Sequence, residues 1–260
     1  MKIGIITDIH ENVGMLQEAL KQASLNKCDE LVCLGDIVGY DKRFYRYYAN
    51  RSAKKCLEMI RSNCRWIVPG NHDLFAARRF PVYSDGYIYP DNWFSMIPEE
   101  RKRASKGKVW CYEADEPNDL SEDDIYFLKS LPEYIITPEL GFEYLFSHYI
   151  FPDFTGSTTK YVERKHQLKK LWDFMSSNNI RFCFSGHAHA SFTGFAYMGK
   201  ADGTASYFKA IHSIPSNSFS LGSEPVMILL LPLTGEKGKT GFSIFDTESM
   251  KLTIVSANTI

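Results

Sequence analysis

Short apolar runs that end in metal-binding side chains constrain the fold of this chain more than any other feature. Residues 31–34 form such a run, which stops at a glycine followed by the carboxylate of Asp36 and is typical of a short buried strand. Three similar runs lead into the following residues: Asp8 and His10, Asn71 and His72, His187 and His189. Because open α/β sheets bind ligands beyond the carboxyl ends of their strands, we expect these side chains to converge. We interpret Asp36 as the ligand that two metal ions share.

The spacing within these segments suits metal binding. Asp8 and His10 are two residues apart, as are His187 and His189, so both members of a pair can point towards one ion in an extended or loop segment. Taken singly, such a pair is also compatible with surface histidines, and His148, which follows another strand-like run, is compatible with a structural histidine. Together, nitrogen ligands mixed with carboxylates favour two divalent transition-metal ions, Mn, Fe, Zn or Ni, over Ca.

Composition narrows the class of protein. With 260 residues, of which 44% are hydrophobic, the chain can bury a substantial core, and we predict a single domain over residues 1–260. Thirty basic and 31 acidic residues give a net charge of −1, which disfavours nucleic acid and an anionic membrane surface as partners. The six cysteines show no CxxC spacing, which favours a reduced protein. The first residue is not followed by an apolar leader, and no apolar stretch is long. We therefore predict a cytoplasmic protein.

The order of predicted elements indicates a layered α/β fold. Strands and helices alternate in the first 70 residues, with helix 1 capped by Asn12, and further helices are predicted over residues 121–131 and 161–175. A hairpin is predicted around residues 137–141, and the chain after residue 189 is predicted to be almost entirely strands, including one at residues 206–211. Helices followed by strands in this order favour two packed sheets with helices outside.

Residues 80–117 interrupt this pattern. The segment combines Pro, Gly and a basic run with eight aromatic residues: Phe80, Tyr83, Tyr87, Tyr89, Trp93, Phe94, Trp110 and Tyr112. Two interpretations stay open. The segment is either a surface insertion with its own aromatic cluster, which could also contact another subunit, or a lid over the site, since long irregular loops in compact domains are often functional.

Five motif blocks together resemble the calcineurin-like metallophosphoesterase superfamily. In chain order they are Asp8-x-His10, Gly35-Asp36, Gly70-Asn71-His72-Asp73, His148 and Gly186-His187-x-His189. The first block, in which Glu11 stands where glycine is usual, and residues 35–40 are also similar to the small bacterial phosphodiesterase branch. Residues 217–220 and the last strand pair resemble that branch's closing segment more weakly.

The resemblance implies a four-layer αββα sandwich of two mixed sheets and a role for each motif residue. One metal would take Asp8, His10, Asp36 and His189, and the other Asp36, Asn71, His148 and His187. A hydroxide bridging the two ions would attack phosphorus, and the catalytic residue His72 would stabilise charge or protonate the leaving oxygen. Asn12 and Tyr40 are the expected substrate-binding residues.

Departures from the superfamily narrow the expected activity. The protein phosphatase branch has an aspartate where this chain has Gly39, and a glutamate where it has Asp73, which argues against a phosphoprotein phosphatase. Asp41, two residues after Gly39, is a candidate substitute for that aspartate, but we favour the interpretation of Asp41 as a solvated turn residue. The predicted function is hydrolysis of a small phosphodiester or phosphomonoester. The alternative is a non-catalytic scaffold that keeps the fold, although a scaffold has no need for every ligand. Substrate, metal identity and oligomeric state stay open.

Overall fold

The computed structural model of the protein describes residues 1–139, 142–162, 165–190, 192–198, 208–212, 218–235 and 240–256. Its strands in chain order are β1 (Lys2–Ile6), β2 (Glu30–Cys33), β3 (Trp66–Ile67), β4 (Tyr134–Glu139), β5 (Phe142–Ser147), β6 (Ile180–Ser185), β7 (Phe192–Tyr197), β8 (Phe208–His212), β9 (Ser218–Ser220), β10 (Val226–Leu229), β11 (Gly241–Asp246) and β12 (Lys251–Ser256). Its α-helices are α1 (Val13–Leu25), α2 (Ala53–Asn63), α3 (Asn71–Ala76), α4 (Pro98–Ser105), α5 (Glu122–Ser130) and α6 (Lys169–Ser177).

The described strands form two mixed sheets of six strands each. The first has the order β3-β2-β1-β11-β12-β9, and the second has the order β4-β5-β6-β10-β7-β8. Strands β1, β2 and β3 run parallel to one another, as do β5, β6 and β10. The next strand in each sheet is antiparallel: β11 pairs with β1, and β7 pairs with β10. Parallel pairing brings the carboxyl ends of consecutive strands to the same edge of each sheet, and this is where the predicted site residues leave the strands.

Alternation along the strands produces three apolar layers. Phe182 and Phe184 of β6 lie in the core between the sheets together with Ile5 of β1, whereas Cys183 packs against α6. A third cluster joins the outer face of the first sheet to helices α1, α2 and α5. Side chains two residues apart share a face of a strand, so one strand contributes side chains to the central layer and to an outer layer. The predicted α/β sandwich with outer helices is confirmed.

Some predicted elements differ in extent from the observed ones. The helix predicted over residues 161–175 is wrong at its start: Tyr161 is not helical, a 3₁₀ turn covers Lys165–Leu168, and α6 begins only at Lys169. Residues 140, 141, 206, 207 and 217, which belong to the predicted hairpin turn, a predicted strand and the weakly similar closing segment, lie outside the described residues.

Two helices were not predicted. Helix α3 starts within the Gly70–Asp73 motif block, for which no helix was predicted, and α4 lies inside the segment at residues 80–117 that interrupts the predicted pattern. The basic run belongs to α4, and its Arg101 is 7% exposed and donates to the carbonyl of Cys111 while its guanidinium lies over the ring of Phe75. The charged composition of α4 concealed a helix whose arginine stem is buried. Among the described residues, no helix is long and apolar enough to cross a membrane.

The α2 helix should contribute strongly to stability through its apolar face. Leu57 is 0% exposed and packs between α2 and the first sheet. Leu57→Ala should lower the free energy of unfolding by about 2–5 kcal/mol, because it removes buried methyl groups and leaves a cavity. The matched control is Leu25→Ala at the end of α1, where the leucine is 65% exposed. Equal urea midpoints for the two variants would contradict the assigned packing.

Candidate metal centre

The candidate ligands leave the carboxyl ends of strands from both sheets. Asp8 follows β1 and Asp36 follows β2, while His148 follows β5 and His187 follows β6. The Asp8 carboxylate accepts a hydrogen bond from the backbone N–H of His187, with its two oxygens at 3.2 and 3.1 Å. This bond joins the first sheet to the second at the site itself. The site therefore depends on the way the two sheets pack.

The first group of possible ligands contains Asp8, His10, Asp36 and His189. One ligand atom from each lies within 4.8 Å of the others. His189 Nε2 is 3.1 Å from Asp8 Oδ1, and His10 Nε2 is 3.7 Å from Asp36 Oδ2. The Nε2 atoms of His10 and His189 are 3.0 Å apart, a separation that a shared cation or proton must bridge, because two bare ring nitrogens repel each other.

The second group contains Asp36, His148 and His187, again with ligand atoms within 4.8 Å. His148 Nε2 lies 3.2 Å from Asp36 Oδ2 and 3.3 Å from His187 Nδ1. Asn71 is 3% exposed, and its Oδ1 is buried with no hydrogen-bond partner among the described residues. An uncompensated buried amide oxygen is costly unless a cation completes its environment. Asp36 belongs to both groups, so the structure brings all seven predicted ligands into one region.

Hydrogen bonds to backbone carbonyls fix the tautomer of two candidate ligands. His10 Nδ1 donates to the carbonyl oxygen of Gly39, and His148 Nδ1 donates to that of Leu34, each at 2.8 Å. A carbonyl oxygen can only accept, so the hydrogen of each neutral ring is on Nδ1. The unprotonated Nε2 is then directed at the carboxylates, as metal-binding histidines require.

The backbone is strained at five of the seven candidate ligands. Their φ angles are positive, which is uncommon for residues other than glycine. The five residues and angles are Asp8 (55°), His10 (48°), Asp36 (50°), His187 (69°) and His189 (44°). Such conformations cost of order 1–3 kcal/mol each and persist where the surrounding structure enforces them, often at functional sites. The strain turns side chains at strand ends towards a common point.

The pKa values of the histidines agree with a cation-binding centre. Burial lowers the pKa of both His10 and His187 to about 3, which keeps these rings neutral and able to bind metal. Burial also disfavours the charged form of His148, but the Asp36 charge and hydrogen bond outweigh it and raise the pKa to about 9. The carboxylates thus attract positive charge into the cluster. The donor set of two carboxylates, four imidazoles and one amide oxygen fits two divalent transition-metal ions.

His72 lies beside the ligand groups and not within them. Its backbone N–H donates to Asp36 Oδ1 at 3.0 Å, and its ring Nδ1 lies 2.7 Å from Asp115 Oδ2. Burial disfavours the charged ring, yet the charges of Asp115 and Asp36 outweigh this effect and raise the pKa of His72 to about 10. The ring therefore carries a proton at neutral pH and can donate it.

Asp73 connects two of the ligand-bearing loops. Its Oδ1 accepts hydrogen bonds from the backbone N–H groups of Ile37 and Val38, at 3.0 and 3.1 Å, and its Oδ2 accepts one from Gly70 at 2.9 Å. Burial and the neighbouring Asp36 charge raise the pKa of Asp73 to about 7. Asp73 stands where the protein phosphatase branch has the longer glutamate, and it holds the loop after β2 against the start of α3.

A cavity of about 420 Å³ opens over the ligand groups. Tyr45 and Tyr161 form part of its wall, with Tyr45 stacked on His10 at a centroid distance of 5.0 Å and Tyr161 stacked on His187 at 5.2 Å. Its volume is that of a small-molecule site. Charged residues also line it: Asp41, Arg43, Glu113 and Asp115.

Most aromatic residues of the insertion pack against one another. Phe80 stacks on Tyr89 and Phe94 with centroids 4.8 and 4.7 Å apart, and Tyr89 contacts Tyr87 and Trp93 edge-on. These contacts give the segment a small aromatic cluster of its own, and both interpretations of the segment stay predictions.

The last part of the insertion instead lines the cavity with Trp110 and Tyr112. It is attached to the loop after β5 by backbone hydrogen bonds, from Trp110 N–H to the Ser157 carbonyl at 3.2 Å and from Thr159 N–H to the Lys108 carbonyl at 3.1 Å. This part of the insertion therefore forms one wall of the cavity. A closing movement of the whole segment stays a prediction.

Two expected substrate contacts have other roles in the structure. Asn12 caps α1, accepting from Met15 N–H at 3.1 Å as predicted, and its Nδ2 donates to the Thr234 carbonyl. The Tyr40 hydroxyl donates to the Tyr45 carbonyl, and the residue is 1% exposed. Because their polar groups are bonded inside the protein, we leave both out of the proposed substrate contacts.

The expectation that Asp41 is a solvated turn residue is wrong. Asp41 is 6% exposed and binds the Arg43 guanidinium, with Nη2 2.6 Å from Oδ2. The sequence interpretation also missed Asp115, Tyr45 and Tyr161, which lie in segments without a metal-ligand motif. For Asp115 the available signal was a carboxylate within an insertion that begins close to His72 in the chain.

Comparison with known proteins identifies the family. The family model described as calcineurin-like phosphoesterase matches residues 1–191. The chain therefore belongs to the calcineurin-like phosphoesterase family. This membership confirms the resemblance that the motif blocks indicated.

The individual relatives described next share less than a third of their aligned residues with this chain. An uncharacterized protein of Methanocaldococcus jannaschii is 27% identical over 170 residues, which are 61% of this chain and 58% of that protein, so the match spans less than two thirds of the relative. A metallophosphoesterase from Sphaerobacter thermophilus has a similar fold, with a TM-score of 0.66, 20% identity and coverage of 100% of this chain and 90% of the other. A hypothetical protein from Pyrococcus horikoshii OT3 gives a TM-score of 0.60, 14% identity and coverage of 100% and 88%.

Because Asp36 belongs to both ligand groups, its substitution should affect more metal than substitution of a ligand that belongs to one group. Asp36→Asn should remove most of both ions, because it deletes the charge common to the two groups, whereas His187→Ala should mainly weaken one. Elemental analysis of reconstituted wild-type protein should find about two ions per chain. Asp173→Asn, which changes an exposed carboxylate on α6, is the control and should keep both. Wild-type protein that never holds more than one ion would contradict the shared ligand.

Proposed function

We propose that this protein hydrolyses a small phosphodiester at a centre of two divalent transition-metal ions. The observation that carries the proposal is the pair of ligand groups that share Asp36 at the floor of a cavity of about 420 Å³, with His72 at its wall. Two bound ions would supply Lewis-acid charge and an activated water for displacement at phosphorus. A scaffold role would not require seven ligand side chains of which six are buried and five have a strained backbone.

The residues of the chain would perform distinct tasks in this reaction. Asp36 and the histidines bind and space the ions, and Tyr45, Tyr112 and Tyr161 provide the aromatic part of the cavity wall beside them. His72, protonated on both ring nitrogens, donates a proton to the leaving oxygen as the phosphorus–oxygen bond breaks and the electron pair remains on that oxygen.

Charge on the cavity wall supports a diester over a monoester. Among the described residues that line the cavity, Arg43 has the one guanidinium or ammonium group, and it pairs with Asp41 and Glu113. The charge of Asp115 is balanced by the protonated ring of His72 beside it, so the two carboxylates of Asp41 and Glu113 against the single guanidinium leave the wall acidic. A phosphodiester carries one negative charge and a monoester nearly two, so the acidic wall repels the monoester more strongly, whatever ions occupy the floor.

A substrate panel tests the proposed activity. With Mn²⁺ present, kcat/KM for bis(p-nitrophenyl) phosphate should exceed that for p-nitrophenyl phosphate by about tenfold or more, equivalent to at least about 1.4 kcal/mol. Arg43→Ala should increase this preference, because it removes the positive charge that offsets Asp41 and Glu113. Equal or better turnover of the monoester would contradict the diester preference. If neither ester is hydrolysed with Mn, Fe, Zn or Ni, the proposed enzymatic function is contradicted.

The role of His72 can be separated from metal binding. For a diester with an alkyl leaving group, His72→Ala should lower kcat by about 10²–10⁴-fold, the usual contribution of proton transfer or charge stabilisation. Metal content should be unchanged, because the side chain of His72 is outside both ligand groups. His166→Ala, at an exposed position in the 3₁₀ turn before α6, is the matched control. Parallel loss of metal and activity in His72→Ala would show that His72 is a ligand.

A further inference from the structure

We propose that Asp115, a residue of the insertion, is the positioning residue for His72. Its carboxylate holds the imidazole so that Nε2 is the ring atom presented to the substrate. This inference rests on the proposed function, since it assigns the orientation of the proton donor in that reaction. It also gives the insertion a task that neither a lid nor a surface insertion would explain.

The contact between the two side chains is close and largely shielded from solvent. Asp115 Oδ2 is 2.7 Å from His72 Nδ1, and the side chains are 13% and 21% exposed. A carboxylate oxygen accepts, so the Nδ1 hydrogen is directed at Asp115 and only Nε2 remains for another partner. Charge-assisted hydrogen bonds of this length are among the stronger ones in proteins, which makes the pair suitable for fixing a ring.

The loop after Asp36 has no room to supply this partner itself. Gly39 has φ of +90°, and a Cβ atom at this position would lie 2.3 Å from His72 Nδ1. The imidazole therefore occupies the space that a side chain at position 39 would fill. Position 39 therefore cannot supply a carboxylate to Nδ1, and Asp115 approaches this nitrogen from the insertion.

Backbone pairing holds Asp115 against the loop that follows β2. Asp41 and Asp115 form an antiparallel bridge, and Glu116 N–H donates to the Tyr40 carbonyl at 2.8 Å. Lys42 Nζ is 2.8 Å from Glu116 Oε1 and adds an ion pair at the same place. The position of Asp115 is thus tied to the segment that carries Asp36, so the carboxylate and the candidate metal centre keep a constant separation.

Neighbouring rings restrict His72 on its other sides. Tyr112 packs against it at a centroid distance of 5.1 Å and an angle of 77°, and His10 does so at 5.1 Å and 86°. These contacts define where the ring lies, whereas the hydrogen bond to Asp115 defines which nitrogen faces the cavity. Loss of Asp115 should therefore affect proton delivery more than the position of the ring.

The kinetic test compares leaving groups. In the Mn²⁺-loaded enzyme, Asp115→Ala should lower kcat for a diester with an alkyl leaving group by about 10²-fold, because an alkoxide needs a proton to leave. The loss should be much smaller for bis(p-nitrophenyl) phosphate, whose leaving group is stable as an anion. Asp115→Asn keeps the side-chain volume and an acceptor oxygen, so it guards against misfolding and should lose less activity. Asp91→Asn removes an exposed carboxylate of the same insertion and is the control.

A double-mutant comparison separates positioning from a general effect. If Asp115 acts through His72, then Asp115→Ala should cause no further loss of kcat in a His72→Ala background. Metal content and KM should be unchanged in all variants. An unchanged kcat for the alkyl diester in Asp115→Ala, or an equal further loss in the His72→Ala background, would overturn the proposal.

A spectroscopic arm is independent of turnover. In metal-free protein with ¹⁵N-labelled histidine, the wild type should show a hydrogen-bonded Nδ1–H signal that is absent from His72→Ala and lost in Asp115→Ala. A signal that persists in Asp115→Ala would overturn the pairing. Wild-type protein that shows the signal but cleaves no phosphoester would contradict the proposed function and leave the His72–Asp115 contact itself established.

Discussion

The buried carboxylate of Asp36 is the contact on which the rest of the site depends. Its Oδ2 lies 3.7 Å from His10 Nε2 and 3.2 Å from His148 Nε2, while its Oδ1 accepts the His72 N–H. Its backbone carbonyl also accepts from Ile9 and His10. A buried carboxylate is stable only with compensating positive charge and hydrogen bonds, so one side chain organises both ligand groups and the proposed proton donor.

Strain and burial around this carboxylate have a common physical origin. The chain leaves β1, β2 and β6 through residues with positive φ, and the turns direct carboxylates and imidazoles into a largely buried region, in which the His189 side chain alone among these ligands is 34% exposed. The unfavourable backbone conformations are maintained by hydrogen bonds such as those that the backbone N–H groups of Ile37 and Val38 donate to the Asp73 carboxylate. Bound cations would compensate the negative charge of the carboxylates and occupy the space between the imidazole nitrogens. This would explain why two carboxylates and four imidazoles lie so close together.

The sequence predicted the parts of this structure that depend on local patterns. The Asp8–His10 and His187–His189 pairs were recognisable because their two-residue spacing follows an apolar strand, and the layer order followed from the alternation of helices and strands. Asp115 was not predicted, because a bridge between distant segments brings it to His72 across 43 positions of the chain. Helix α4 was missed because five of its eight residues are charged and it has no apolar stripe, and tertiary contacts of Arg101 stabilise it.

The location of bound metal tests the central arrangement most directly. Crystals grown with Mn²⁺ and measured at the manganese absorption edge should show two anomalous peaks about 3.5–4 Å apart, one on each side of the Asp36 carboxylate. One peak should lie among Asp8, His10 and His189, and the other among Asn71, His148 and His187. A single peak, or peaks that do not share Asp36, would contradict the arrangement on which the proposed reaction rests.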